Sequence, residues 1–187
     1  MSSGNNGAER INCFALVTYI PGPLGAFLDD LRRELVPACL PRAHVTILPP
    51  RPVSAPTAEA VEQLHEWISK VPTFRIEGGA IEVFGTTSVI YIGLGPGADE
   101  LRRIHDRFNA GPLGFAEPHR YHPHITLAQD FPAEQAPQLR ELAERRWAEY
   151  PGERSFPAET VTFVQNTTDN RWVDLAHWTL GAVPTPR

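Results

Sequence analysis

Two short patterns repeat in this chain, His44-Val45-Thr46 and His124-Ile125-Thr126. Each places an imidazole and a hydroxyl at positions i and i+2. On a strand those side chains share one face, and Val45 or Ile125 turns to the other. Imidazole titrates near neutrality, so two histidines can act as base and acid in one reaction. Threonine hydroxyls donate to anionic oxygens. The four groups together suit an in-line displacement at a phosphodiester, with one imidazole on each side of the phosphorus. A single His-x-Thr is an ordinary piece of strand. Two copies, each followed by an aliphatic residue and each in the same place of a repeated order of elements, are harder to produce by accident.

The elements that must position them can be read from hydrophobic periodicity. Residues 12–20 (NCFALVTYI) form a β-branched, aromatic strand. Leu24, Phe27, Leu28, Leu31 and Leu35 then mark an amphipathic helix. His44–Leu48 is a strand, expected to close at Pro49-Pro50. Thr57 is placed to cap a helix carrying Val61, Leu64 and Ile68. Phe74–Phe84 and Val89–Leu94 are strands joined through Gly85-Thr86-Thr87. The order then recurs: Leu101, Ile104 and Phe108 mark a helix, His124–Ala128 a strand, and Leu139, Leu142 and Ala143 a helix starting near Pro137. Val161–Gln165 and Trp172–Leu180 make the last strand pair, turned at Asp169-Asn170. Each half thus runs strand, helix, His-strand, helix, strand, strand, and the two histidines stand 80 residues apart (124 − 44). The expected fold class is α+β: a bilobal, pseudo-twofold duplicated unit with mainly antiparallel sheets lining a central cleft. We expect one domain of two intertwined lobes, roughly 11–94 and 89–181, with 1–10 and 182–187 as flexible tails.

Composition narrows the class of partner. A net charge of −5 among 187 residues disfavours sequence-blind binding to long nucleic acid, which needs a basic face. It leaves room for a small nucleotide or an RNA end held in a local pocket. Cys13 and Cys39 lie in no metal spacing and read as buried free thiols of a reducing compartment. The polar N-terminus has no apolar signal region, and the apolar run near Cys13–Ile20 is too short to span a bilayer. A cytoplasmic monomer without membrane contact is the expectation.

The segments PRAHVTILPP and YHPHITLAQ resemble the two signature motifs of the 2H phosphoesterase superfamily, in particular its 2′-5′ RNA ligase-like / RNA 2′,3′-cyclic phosphodiesterase group. The resemblance covers roughly residues 11–181. It implies His44 and His124 as the acid/base pair, Thr46 and Thr126 as phosphate binders, and neither metal nor cofactor. Many ligase-like members carry Arg three residues after the second Thr, where this chain has Gln129. Pro49-Pro50 after the first motif is more similar to smaller bacterial branches.

Other residues have two readings. Phe84 and Tyr91 could meet a base or simply pack. Tyr121 and His122 could line the cleft. Arg42 and Arg51 could meet a phosphate or carboxylate, although a loop arginine is usually solvated, and Gln129 could contact substrate without the charge that grips phosphate. HRYHPH (119–124) raises a metal reading through His122 and His124, but no carboxylate or cysteine supports it. Gly93–Gly97 (GLGPG) lacks the Lys-Ser/Thr of a phosphate loop and is a turn. His65 reads as surface; His105 and His177 have no partner legible in the sequence. The expected function is hydrolysis of a 2′,3′-cyclic phosphate or related small phosphodiester. A non-catalytic nucleotide-binding module and an RNA ligase are the alternatives.

Overall fold

The computed structural model describes residues 8–39, 42–85 and 88–181. Among these residues eight strands and four α-helices follow in the order β1 (Arg10–Tyr19), α1 (Gly22–Leu35), β2 (His44–Arg51), α2 (Thr57–Ile68), β3 (Phe74–Phe84), β4 (Val89–Leu94), α3 (Ala98–Phe108), β5 (His124–Ala128), α4 (Ala136–Glu149), β6 (Ser155–Ala158), β7 (Thr160–Thr167) and β8 (Trp172–Thr179). The strands form two four-stranded sheets, β2-β1-β7-β8 and β5-β4-β3-β6. Every pairing within them is antiparallel. The α+β class follows directly from this order.

The sheets do not follow the halves of the chain. β1 and β2 are joined by β7 and β8 from the C-terminal end, while β3 and β4 pair with β5 and β6. The helices cross as well: α1 and α4 cover the β5-bearing sheet, and α3 and α2 cover the β2-bearing sheet. One apolar core therefore collects residues from both sheets and all four helices, including Leu16, Leu28, Leu64, Ile92, Leu101, Leu127 and Phe163. Alternation along β1 sends Phe14 and Leu16 into that core. Its opposite face carries Ala15 and Val17, which meet Val164 and Tyr19 in a small separate cluster. Val17 pairs with Thr46, so this cluster shares the face that displays the first motif.

Several local expectations change. Pro49-Pro50 does not end β2, which runs on to Arg51. β2 is an edge strand, and its register jumps from Leu16↔Leu48 to Phe14↔Arg51. The irregularity absorbs two residues that cannot donate to the ladder. Thr57 is the first residue of α2 and makes no capping bond; Pro56 precedes it. β6 lacked a sequence signal, since four residues around Pro157 show no periodicity, yet it closes the edge beside β3. Cys13 and Cys39 form no disulfide and are half-buried rather than fully enclosed. Arg10 already pairs with Thr167, and residues 1–7, 182–187, Thr86 and Thr87 lie outside the described residues. Among the described residues no helix is long and apolar enough to cross a membrane.

Candidate active site

Both motif strands are sheet edges, and the two edges adjoin: β2 packs against β5. An unpaired edge is a liability that proteins cover. Here each sheet covers the other, and the motifs meet at the seam. Tyr121, three residues before His124, donates its hydroxyl across the seam to the Thr46 carbonyl at 2.7 Å. Its ring lies flat on His105 of α3, with centroids 3.9 Å apart and 3° between planes. His105 is buried, with Nδ1 2.9 Å from the Ile47 carbonyl and Nε2 3.5 Å from Glu117. Glu117 pairs with Arg51, whose guanidinium also reaches Pro49 O at 2.8 Å, Asn109 Oδ1 at 2.7 Å and Leu113 O at 3.2 Å. Arg51 is thus not a solvated loop residue. It is 2% exposed, and burying a charge this fully requires the carboxylate and carbonyls that surround it. The carbonyls of Thr46, Ile47 and Pro49 on the edge strand are therefore met by side chains.

The two histidines have matching surroundings. His44 Nδ1 lies 2.7 Å from the Arg42 carbonyl, and His124 Nδ1 lies 2.6 Å from the His122 carbonyl. A carbonyl only accepts, so each Nδ1 carries the proton. That assigns the tautomer and leaves Nε2 as the nitrogen able to take or give a proton. Among the described residues neither Nε2 has a hydrogen-bond partner. Both imidazoles are half-buried, as are Thr46 and Thr126. Burial holds the pKa of His44 below 6.5, and the Arg32 and His124 charges push it the same way, against the Arg42 carbonyl and Asp29. Burial likewise lowers His124, joined by His122 and opposed by the His122 carbonyl. The packing of β2 against β5 brings the two motifs to one seam.

The flanking residues differ between the lobes. On the β2 side Tyr19 faces His44 across the ladder, edge to face at 6.3 Å. Its hydroxyl donates to Asp174 at 2.6 Å, and Arg42 lies 3.7 Å over its ring while reaching Asp174 at 3.5 Å. On the β5 side Phe84 stacks on Tyr91 at 4.1 Å, and both rings lie 5.1 Å from His124 and 5.5 Å from His122. Tyr91 is buried and donates to Glu82 at 3.0 Å. Gln129 is exposed just past β5, and Arg42 and His122 are exposed at the rim. His65, His119 and His177 are exposed, apart from the motif strands. Among the described residues no cluster of three His, Cys, Asp or Glu is placed to hold a metal.

Sequence reasoning passed over Tyr19, Glu82, Asp174 and Glu117, and found no partner for His105. Glu82 was within reach of it: two residues before Phe84 on one strand, it must share that face. The others depend on register and packing between distant segments.

A family model of the 2′-5′ RNA ligase superfamily matches residues 20–170. The chain belongs to that superfamily. An RNA 2′,3′-cyclic phosphodiesterase of Aeropyrum pernix is 34% identical over 105 residues, 53% of this chain and 59% of the relative. The chain therefore spans about three-fifths of the length of that relative. The crystal structure of E. coli LigT complexed with 3′-AMP has a TM-score of 0.63 at 17% identity and covers 94% of this chain and 100% of that one. LigT complexed with phosphate gives 0.58 at 16% identity, over 92% and 98%. At these identities the solved structures establish a shared fold.

Proposed function

We propose that this protein is a metal-independent phosphodiesterase that opens a nucleoside 2′,3′-cyclic phosphate by two-histidine acid/base catalysis. The observation that carries this reading is the paired tautomer: both motif histidines spend Nδ1 on the carbonyl two residues back, leaving Nε2 for chemistry at one seam. One Nε2 removes a proton from water as its oxygen attacks phosphorus. The bond from phosphorus to one ribose oxygen breaks, and the other Nε2–H protonates that oxygen. Water and cyclic diester become a monoester with a free hydroxyl. The histidines end in exchanged protonation states and reset through solvent. The Thr46 and Thr126 hydroxyls donate to the non-bridging oxygens, where charge accumulates. The Aeropyrum relative carries the corresponding activity in its name.

Arg42, Phe84, Tyr91, His122 and Gln129 border the same site as substrate contacts, whereas Tyr121 acts from beneath it. The acidic balance favours a mononucleotide or a single RNA end over a long duplex. The lack of a disulfide between Cys13 and Cys39 favours a reducing compartment, and we propose a cytoplasmic monomer. The test is turnover of nucleoside 2′,3′-cyclic phosphates in excess EDTA, with products separated as 2′- and 3′-monophosphates. Full activity supports the reading. Binding without turnover across 2′,3′-cyclic, 3′,5′-cyclic and 2′-5′-linked substrates makes the protein a nucleotide-binding module. Joining of a cyclic phosphate to a 5′-hydroxyl in preference to hydrolysis makes it a ligase.

A further inference from the structure

The pseudo-symmetry of the site fails directly opposite the two histidines. Across the ladder from His44 stands Tyr19, and across from His124 stands Gly93. The space over Gly93 is taken by the Glu82 carboxylate: a Cβ there would collide with Glu82 Oε1. The other oxygen, Oε2, accepts the hydroxyl of buried Tyr91 at 3.0 Å, which fixes the carboxylate on the cleft face of β3 and β4. Among the described residues no cation pairs with Glu82.

Phe84, two residues on, shares that face and is half-buried. Tyr91 covers one side of its ring. His124 is 5.1 Å from both members of the Phe84–Tyr91 stack, and His122 is 5.5 Å from both. A ring equidistant from two stacked rings lies beside the stack, not on its end. The outer face of Phe84 is thus left uncapped by either imidazole.

A carboxylate beside a phosphate site repels an anionic substrate unless a donor of that substrate meets it. In a nucleoside 2′,3′-cyclic phosphate the 2′- and 3′-oxygens are esterified. The remaining donors are the 5′-hydroxyl and the base N–H groups. We propose that Phe84 and Glu82 form a base-reading subsite that selects guanine, making guanosine 2′,3′-cyclic phosphate the preferred substrate. The base stacks on the outer face of Phe84, and its edge turns to Glu82. Guanine alone presents two adjacent donors, N1–H and the 2-amino group, to an acceptor-only carboxylate. Adenine and cytosine set an amino group beside an acceptor nitrogen. Uracil sets one N–H between two carbonyl oxygens. This inference rests on the phosphodiesterase reading.

The test compares kcat/KM for the four nucleoside 2′,3′-cyclic phosphates and base-free glycerol 1,2-cyclic phosphate, in the wild type, Glu82→Gln and Phe84→Leu. For the wild type we expect guanosine to exceed each other base about tenfold, in line with loss of one hydrogen bond to a charged group on the exposed Glu82 carboxylate. In Glu82→Gln the guanosine-to-adenosine ratio falls about tenfold, and Phe84→Leu lowers all four nucleosides relative to the base-free substrate. A flat base profile in the wild type, or an unchanged guanosine-to-adenosine ratio in Glu82→Gln, overturns the proposal. If no substrate is turned over, base-free one included, the phosphodiesterase reading fails instead. Calorimetry with guanosine and adenosine 3′-monophosphates then still decides base reading, with at least tenfold tighter guanosine binding supporting it and equal binding rejecting it.

Discussion

Tyr121→Phe removes one oxygen atom from the seam and leaves the rest in place. The ring keeps its 3.9 Å stack on His105, and the lost group is the donor 2.7 Å from the Thr46 carbonyl. That bond is partly buried, so its removal costs about 1–2 kcal/mol, between the net worth of a hydrogen bond and the penalty for a stranded acceptor. For a chain of this size each kcal/mol lowers Tm by roughly 2–4 °C, which makes the expected fall about 2–8 °C. The catalytic consequence is separate. The bond ties the backbone of the first motif to the segment leading into the second, so it helps fix the spacing of His44 and His124. A misplacement of about 1 Å between reacting groups costs roughly 100-fold in rate, and partial loosening should cost on the order of tenfold. Tyr121 touches no substrate atom in the proposed mechanism, so KM should stay within about twofold. Steady-state rates on a nucleoside 2′,3′-cyclic phosphate, beside a thermal melt, measure both effects. A lower Tm with unchanged kcat would reduce the bond to a purely structural role and refute the reasoning.

Three further outcomes follow from the same geometry. The histidine pKa values of the free protein both lie below 6.5, so the product of base-neutral and acid-protonated fractions peaks below pH 6.5. We expect kcat/KM to fall about tenfold per pH unit above neutrality, and an optimum above pH 7 in that parameter contradicts the assignment. The same lowered values stabilise the fold above pH 6.5 and lose that contribution as pH falls through the folded-state pKa values, which a melt series should show as a declining Tm. Arg51→Met strands Glu117 and should destabilise by about 3–5 kcal/mol, whereas adding Glu117→Leu should recover most of it; equal melts for the two variants argue against the buried pair. Thr46→Val and Thr126→Val should each lower kcat on the order of 100-fold with circular dichroism unchanged, and near-normal rates remove those hydroxyls from the transition state.

The candidate site could be proposed from the sequence because its residues carry a local signature. His-x-Thr on a strand fixes which side chains share a face, and the repeated order of elements makes the two copies correspond. The helices carrying Leu28, Leu64 and Leu101 declared themselves through apolar spacing. Pairing between distant segments leaves no such trace. Nothing in the periodicity of β7 and β8 says that they extend the sheet of β1, or that β3 and β4 belong with β5. The Arg51–Glu117–His105–Tyr121 network joins residues whose relation exists only after folding. An arginine after a Pro-Pro pair reads as solvated until the edge strand is seen to continue through it. The choice of tautomer was equally hidden, since it depends on the position of two backbone carbonyls.

The most direct measurement is turnover of one nucleoside 2′,3′-cyclic phosphate by His44→Ala, His124→Ala and the double variant, each confirmed folded by its melt. If the imidazoles act as base and acid in one step, each single substitution lowers kcat by about 100- to 10,000-fold. Groups that work as a unit are not additive, so the double variant should be little slower than the worse single one. Near-normal turnover in either single variant, or a double variant slower by the full product of both effects, contradicts a shared two-histidine site.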